Sequence, residues 1–401
     1  MSQTQHISHG ARSCERLSIC FVVHNGYRAL SGKRVGHIGG VERQQSIMSK
    51  WLAARGHAIS MITWDEGQEE VNSVIAGVRV IKLCQKDSGV RGLRFVHPRW
   101  TSLLRALRQA DADVYYQNSA ESVTGQVALW CRMHKRKFVY SVANDPDCDP
   151  RLPELRHLHE RVLYRYGVRK SDTVIVQTLR QRMAMARGFK RESVVLPMPC
   201  YGPSDQQPAP RTFPSKRPYR IIWVGRICEQ KRPDVYLDLA KARPDLILDL
   251  VGPVGDTPYA RGIVETAKRI PNVNVHGSVP RQAMPGIYRS EIVCLCCTSD
   301  FEGFPNTFLE AWSLGLPIVS TFDPDGLIEK RRLGLTASDL SGLAEGIDRL
   351  ISSPSLFREI SDNALAYYRE NHTVETAMPR FESVFRLVVN GGPSGDLRRR
   401  G

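Results

Sequence analysis

The sequence predicts an α/β chain of two doubly wound domains, each built on a mostly parallel sheet, facing one another across a cleft. Three observations carry that expectation. Strand-like and helix-like stretches alternate through the first half; a proline-dense stretch interrupts them; the same alternation then begins again. Such alternation gives parallel strands whose connecting helices cover both faces of the sheet.

In order, residues 17–23 read as a buried strand. A loop with several glycines follows, and 41–55 read as a helix with Ile47, Met48, Trp51 and Leu52 on one side. Further strands are expected at 58–63, 78–83, 114–117, 138–142 and 173–177, separated by helices near 99–110, 120–134, 154–169 and 178–187. Seven prolines fall between 197 and 218, too dense for a helix or a central strand, so 201–218 reads as an interdomain linker. The pattern restarts with strands at 219–224, 246–251, 273–276, 292–297 and 317–320 and helices near 233–241, 258–269, 306–314, 339–351 and 354–370. The expected domains are therefore 1–200 and 219–373. An amphipathic stretch at 374–389 and a glycine-, proline- and arginine-containing tail at 391–401, expected to be disordered, complete the chain.

Composition narrows the function classes. Of 401 residues, 42% are hydrophobic and 24% charged, as in an ordinary globular protein. No apolar run approaches the ~18 residues of a membrane span, and residues 1–16 lack the apolar segment of a secretory signal. Seven of the ten cysteines are scattered. Cys294, Cys296 and Cys297 share one strand-like run whose alternate residues face opposite sides, so they read as small buried hydrophobes. Reduced thiols imply a cytoplasmic setting. The net charge of +15 is uneven: residues 1–200 hold 31 Lys and Arg against 17 Asp and Glu, whereas 201–401 hold 25 against 24. An anionic partner is expected for the first half.

Three motifs carry chemistry. In the first, Ser299 to Trp312, a buried strand ends, a loop turns and a helix begins near Asn306, with Glu302 in the loop and Glu310 in the helix. Loop amides and a helix N-terminus suit a diphosphate, and carboxylates that accept two hydroxyls suit a ribose and a sugar. In the second, Val224-Gly225-Arg226 to Lys231 follows the first strand of the second half; Gly225 permits close backbone approach, and Arg226 and Lys231 offer cations to an anion there. In the third, Gly36 to Glu42 places Gly39 and Gly40 between the first strand and the first long helix, without the spacing of a Walker A or G-x-G-x-x-G loop.

Taken together, the three resemble the GT-B retaining glycosyltransferases of family four (glycosyl transferases group 1), with two Rossmann-like domains, and the resemblance spans nearly the whole chain. It implies that Glu310 holds the nucleotide ribose and that Glu302 lies by the donor sugar. It implies that Arg226 and Lys231 hold the diphosphate, with Gly39 and Gly40 approaching from the other domain. Gly225, Gly303, Phe304, Asn306, Thr307 and Phe308 complete the donor pocket. The terminal stretch 374–389 is expected to cross back to the first domain. The family often places a histidine after the fourth or fifth strand of the first domain; here that region reads Tyr140 to Asp149 without one, and Asn144 or Asp145 takes the position. His24 and His37 are other histidines near the expected cleft.

The alternating Asp145, Asp147 and Asp149, and the pairs Asp111–Asp113 and Asp323–Asp325, suit a cation or, equally, turns and caps; no metal or other cofactor is expected. The reading is a cytoplasmic enzyme that transfers a sugar from a nucleotide-diphosphate sugar to a glycan or lipid-linked acceptor, with retention, in bacterial polysaccharide assembly. The alternatives are a sugar-nucleotide epimerase on the same fold and a non-catalytic nucleic-acid-binding protein; the charge lies in the half without the phosphate motifs, so no nucleic acid is expected. Around 91–108, Trp100, Leu103, Leu104 and Leu107 recur at helical spacing among Arg91, Arg94, Arg99, Arg105 and Arg108. That stripe faces either the sheet or an anionic membrane surface.

Overall fold

The computed structural model describes residues 16–32, 38–67, 73–202, 211–288 and 291–391. Cys14, Gly36, His37, Pro203, Pro208, Pro210 and the tail from 392 lie outside the described residues.

The first sheet is assembled from β1 (Ser18–Val22), β2 (Ala58–Thr63), β3 (Val74–Ile75), β4 (Val78–Lys82), β5 (Val114–Asn118), β6 (Lys137–Ser141), β7 (Thr173–Val176) and β8 (Val194–Val195). Its order is β3-β4-β2-β1-β5-β6-β7-β8, parallel except for the β3–β4 pair. Helices α1 (Gly26–Ser31), α2 (Gly40–Ala54), α3 (Thr101–Ala110), α4 (Ser122–Met133), α5 (Leu158–Lys170) and α6 (Leu179–Phe189) connect and cover it. The second sheet, β11-β10-β9-β12-β13-β14, is parallel throughout. Its strands are β9 (Arg220–Val224), β10 (Ile247–Val251), β11 (Val273–Gly277), β12 (Ile292–Cys297), β13 (Ile318–Ser320) and β14 (Gly334–Thr336). Around it lie α7 (Pro233–Ala242), α8 (Pro258–Lys268), α9 (Met284–Ile287), α10 (Asn306–Ser313), α11 (Leu327–Arg331), α12 (Leu340–Ser352) and α13 (Pro354–Asn371). The two-domain parallel α/β expectation holds.

Local chemistry explains where helices start. Thr178, Thr257, Asp339 and Ser353 cap α6, α8, α12 and α13 by accepting a backbone N–H two or three residues on. Pro233, Pro258 and Pro354 sit in first turns, where the missing N–H costs nothing. The helix expected over 99–110 splits: a bent turn spans 95–100 and α3 follows. Leu103 and Leu107 of α3 are buried in the first-domain core, so the apolar stripe faces the sheet. Cys294, Cys296 and Cys297 are buried and unpaired in β12.

The chain crosses between domains twice, and the two crossings are clasped. The Cys200 amide donates to the His372 carbonyl (2.9 Å), the Tyr368 hydroxyl to the Cys200 carbonyl (2.6 Å), and His372 Nδ1 to the Met198 carbonyl (2.9 Å). Beyond this clasp, α14 (Val374–Val389) packs on α2, β5 and β6 of the first sheet. Phe385 lies edge-on to Tyr116 (5.9 Å) and Phe21 (6.5 Å). Glu382 receives Arg55, Arg386 and the Nε2–H of His57, whose Nδ1 accepts the Leu17 amide.

His372 makes the clasp pH-sensitive. It is fully buried, and burial pushes its imidazole down to about 4 from 6.5, outweighing the Met198 carbonyl that favours the proton. The folded state therefore binds fewer protons than the unfolded one between these values. Stability is fully present above pH 6.5 and falls as pH drops toward 4, by on the order of 3 kcal/mol from this group. Urea unfolding of wild type and His372→Gln across that range checks this: the variant should show a shallower loss, and equal slopes refute the assignment.

Candidate active site

In open parallel sheets, the loops at the carboxyl ends of the strands stand free where strand order reverses. Here the reversals lie between β1 and β5 in one sheet and between β9 and β12 in the other. The loops after β1, β5, β6, β9, β10 and β12 line one cleft of 1720 Å³ between the domains.

On the second-domain side, Gly225 and Arg226 follow β9, and Arg226 is exposed at the cleft wall. Lys231 ends a short turn, and its ammonium pairs with Glu302. Ser299 Oγ donates to Glu302 Oε1 at 2.7 Å. Thr298 Oγ1 donates to the Lys231 carbonyl (2.8 Å) and accepts from Trp223 Nε1 (3.0 Å), while Gln230 Nε2 donates to the Phe301 carbonyl (2.8 Å). The two motif loops are thus laced together before any ligand arrives. Glu302 and Glu310 are both buried, yet both line the cleft.

Two helix N-termini face each other across the cleft. Gly39 caps α2, Asn306 starts α10, and a Cβ on Gly40 would collide with Asn306 Nδ2. A side chain at 40 would push the Asn306 carboxamide aside, and both ends present amides that favour an anion. Gly39, Gly40, Gly225, Gly303, Phe304, Asn306 and Thr307 all line the cleft. Phe308 does not: its side chain is fully buried among the core residues behind α10. On a helix, position 308 turns inward while 307 and 310 reach the cleft, and the Phe308 amide, expected at the donor pocket, donates to the Pro305 carbonyl (3.0 Å).

The first domain closes the cleft at one seam. Gln177 Oε1 accepts the Phe304 amide (2.7 Å), and Gln177 Nε2 donates to the Val142 carbonyl (3.1 Å). A Cβ on Gly303 would strike the Ala143 carbonyl. Asn144 lines the cleft, whereas Asp145 stands behind its wall, accepting from Gln181 Nε2 (3.1 Å) and paired with Arg180 (3.4 Å). Asp147 accepts the Ala143 and Asn144 amides and so fixes this turn; burial raises its carboxyl to about 7 against those two hydrogen bonds. Asp149 is held by Arg151. The three aspartates thus serve separate partners. Asp111 and Asp113 pair with Arg136, and Asp323 and Asp325 accept helix-start amides. Among the described residues no three His, Cys, Asp or Glu side chains gather as metal ligands would. His24 stacks on Trp64 (4.3 Å) and pairs with Glu121 (3.0 Å).

Residues 39–200 match the Glycosyl transferase 4-like domain family, and residues 218–353 match Glycosyl transferases group 1. The chain belongs to the glycosyltransferases. Its likeness to single proteins is more distant. It is 25% identical over 151 residues to "Glycosyltransferase 1 domain-containing protein 1" of Xenopus tropicalis, covering 37% of this chain and 44% of that one. To an uncharacterized glycosyltransferase of Haemophilus influenzae it is 26% identical over 173 residues, covering 41% and 48%. The matched part thus spans less than half the length of these curated relatives. Among solved structures it is similar to sucrose-phosphate synthase from Thermosynechococcus elongatus (TM-score 0.77, 17% identity, 94% of this chain and 100% of that one). It is also similar to the catalytic domain of Starch Synthase IV from Arabidopsis thaliana bound to ADP and acarbose (0.69, 10%, 94% and 100%). WaaG, a glycosyltransferase involved in lipopolysaccharide biosynthesis, follows (0.63, 15%, 93% and 100%). At these identities the likeness carries the fold, which is GT-B.

Several cleft residues of this glycosyltransferase have no motif to announce them. Arg43 of α2 reaches Glu310 Oε1 at 2.5 Å, Arg281 Nη1 stands 3.6 Å from the same oxygen, and the Tyr288 hydroxyl donates to Oε2 at 3.3 Å. Gln177 and Gln230 bind loop backbone. Glu42 lies in the first turn of α2; burial raises its carboxyl, its own amide and Asn25 lower it, and Arg226 adds to the lowering.

The seam at Gly303 gives a direct test. Gly303→Ala places a methyl against the Ala143 carbonyl and should hold the domains apart. Small-angle scattering should show a larger radius of gyration with unchanged helix content. An unchanged scattering curve refutes the contact as the closing point.

Proposed function

We propose that this chain is a retaining glycosyltransferase that moves a sugar from a nucleotide-diphosphate sugar to a glycan or lipid-linked acceptor. The observation that carries this reading is the convergence, on one cleft, of two cations, two helix N-termini and two buried carboxylates. Arg226, Lys231 and the amides at Gly39–Gly40 and Asn306–Thr307 suit a diphosphate. Glu310 suits the ribose, and Glu302 the donor sugar.

The chemistry follows from charge. The bond between the anomeric carbon and the diphosphate oxygen breaks, and its electron pair stays on that oxygen. A bond from the acceptor oxygen forms on the same face of the sugar, and the acceptor's proton passes to the departing phosphate oxygen. Negative charge on the diphosphate grows as the sugar becomes oxocarbenium-like. Preorganised donors aimed at that charge lower the barrier, each by on the order of 3 kcal/mol. Lys231, bound to Glu302 in the free chain, exchanges that partner for the phosphate. Asn144 lines the first-domain wall of the cleft and, on this reading, takes the place where the related enzymes often hold a histidine. With two fixed cations at the leaving group, the reaction requires no divalent ion.

Arg226→Ala and Lys231→Ala should each lower turnover by about 100-fold or more. A panel of UDP-, GDP- and ADP-sugars, scored for nucleotide release with and without acceptor and with EDTA present, checks the reading. Inactivation by EDTA with rescue by Mg²⁺ or Mn²⁺ overturns cation-only catalysis, and epimerisation of the donor without transfer overturns the transferase reading.

The acceptor domain also suits an anionic membrane surface. Val90, Leu93 and Val96 protrude in sequence and are more than half exposed, as is Leu158 at the start of α5. Phe95 against His159 (4.6 Å) joins the two segments. Arg91, Arg105, Arg108 and Arg156 are exposed in the same stretches of chain, whereas Arg99 is engaged with the Lys86 carbonyl (2.8 Å) and Arg94 stands 3.9 Å from Asp87. Apolar tips among free cations fit an anionic interface, at about 1 kcal/mol per basic residue near the surface. A bacterial role in polysaccharide assembly on a lipid-linked acceptor accords with this. Among the described residues no helix is long and apolar enough to cross a membrane. Phosphatidylglycerol vesicles should bind the protein at low salt and release it as salt rises. Leu93→Ser with Arg91→Ser and Arg105→Ser should lose this binding and keep nucleotide affinity. Indifference to anionic vesicles at low salt refutes the surface and points to a soluble acceptor.

A further inference from the structure

Arg43 stands three residues past the glycine pair, on α2, and nothing in its local sequence sets it apart from Lys50, the other cation of that helix. Its position does. The guanidinium leaves the first domain, crosses the cleft and donates to Glu310 Oε1 at 2.5 Å. The second oxygen of Glu310 takes the Tyr288 hydroxyl at 3.3 Å. A carboxylate offers about four lone-pair sites. With Arg43 and Tyr288 in place, each oxygen keeps one acceptor position, and Glu310 opens onto the cleft although only 4% of its surface is exposed.

A glutamate carboxylate rotates within a broad, roughly two-fold torsional well, so partners rather than the side chain itself decide which way its oxygens point. Two partners from two domains fix it here. Without Arg43, Arg281, whose Nη1 is 3.6 Å from the same oxygen and which also donates to the Gly202 carbonyl, is the remaining cation. It lies on the second-domain side, in the turn before α9. It approaches from the second-domain side, so it does not replace the contact across the cleft that Arg43 makes.

We propose that Arg43 is a positioning residue that turns Glu310 to accept two neighbouring hydroxyls, and so sets the preference of this site for ribonucleotides over deoxyribonucleotides. This rests on the reading of Glu310 as the ribose acceptor. Because Arg43 belongs to the first domain, ribose discrimination becomes a property of the closed cleft: the second domain holds the carboxylate, and the first aims it. Neither Tyr288 nor Arg281 supplies that link, since both sit on the same domain as Glu310.

Calorimetry tests the proposal on the whole chain, using whichever of UDP, GDP and ADP binds best together with its 2′-deoxy and 3′-deoxy analogues. A hydrogen bond to a charged acceptor is worth about 10- to 100-fold in affinity, so wild type should prefer the ribonucleotide by at least 10-fold. Arg43→Ala should bring the preference below about 3-fold, mainly by weakening the ribonucleotide. Arg43→Lys keeps a cation at the same place without the guanidinium fork and should restore part of the preference. Equal weakening of ribo- and deoxyribonucleotide in Arg43→Ala, or no change in either, overturns the proposal. Glu310→Gln separates the two levels. If it abolishes the preference while Arg43→Ala retains it, Arg43 has no positioning role. If Glu310→Gln itself keeps the full preference, the ribose reading of Glu310 fails.

Discussion

Everything at the cleft depends on how closely two backbones approach at its floor. Gly303 lies against the Ala143 carbonyl, and the amide next to it, on Phe304, is taken by Gln177 of the first domain. A side chain at 303 would add a wedge at the point about which the domains close. The same approach brings the start of α2 opposite the start of α10, so Gly40 and Asn306 nearly touch. Closure is therefore set by backbone, and the charged side chains are arranged around a gap whose width is already fixed.

Within that gap, charges are matched in pairs. Lys231 occupies Glu302, and Arg43 occupies Glu310. Buried carboxylates left alone are costly, so each is held by a cation.

Much of the architecture is legible from residue order. Buried runs such as 292–297 and the capped, amphipathic helices announce themselves, because long elements carry a repeated pattern. What is not legible is short or relational. The helices α1, α9 and α11 and the strands β3, β8 and β14 span six residues or fewer, and β14 exists as a strand because β13 lies beside it. The candidate site divides in the same way. Glycines, Arg226, Lys231, Glu302 and Glu310 sit in recognisable loops and do line the cleft. Arg43, Arg281, Gln177 and Tyr288 look like ordinary helix and turn residues, and only the partners that the fold brings to them, across the cleft for Arg43 and Gln177 and beside Glu310 for Arg281 and Tyr288, give them meaning. Phe308 and Asp145 differ from their neighbours in the same stretches: one side chain points into the core and the other stands behind the cleft wall.

The double crossing at Met198–Cys200 and Tyr368–His372 bears on how such a chain can be inherited in parts. The last helix, with Met378, Phe381 and Phe385, completes the core of the first domain rather than the second. The second domain is thus an insert, bounded on both sides by stretches of chain that the first domain owns. A single recombination point in the linker would pair a first domain with a foreign closing helix and disturb Glu382, His57 and the aromatic contacts around Tyr116. A new donor specificity can be acquired whole only by two breakpoints, one on each side of the clasp, or by gradual substitution along the cleft wall. Lineages of this architecture are for that reason expected to exchange inserts, not halves.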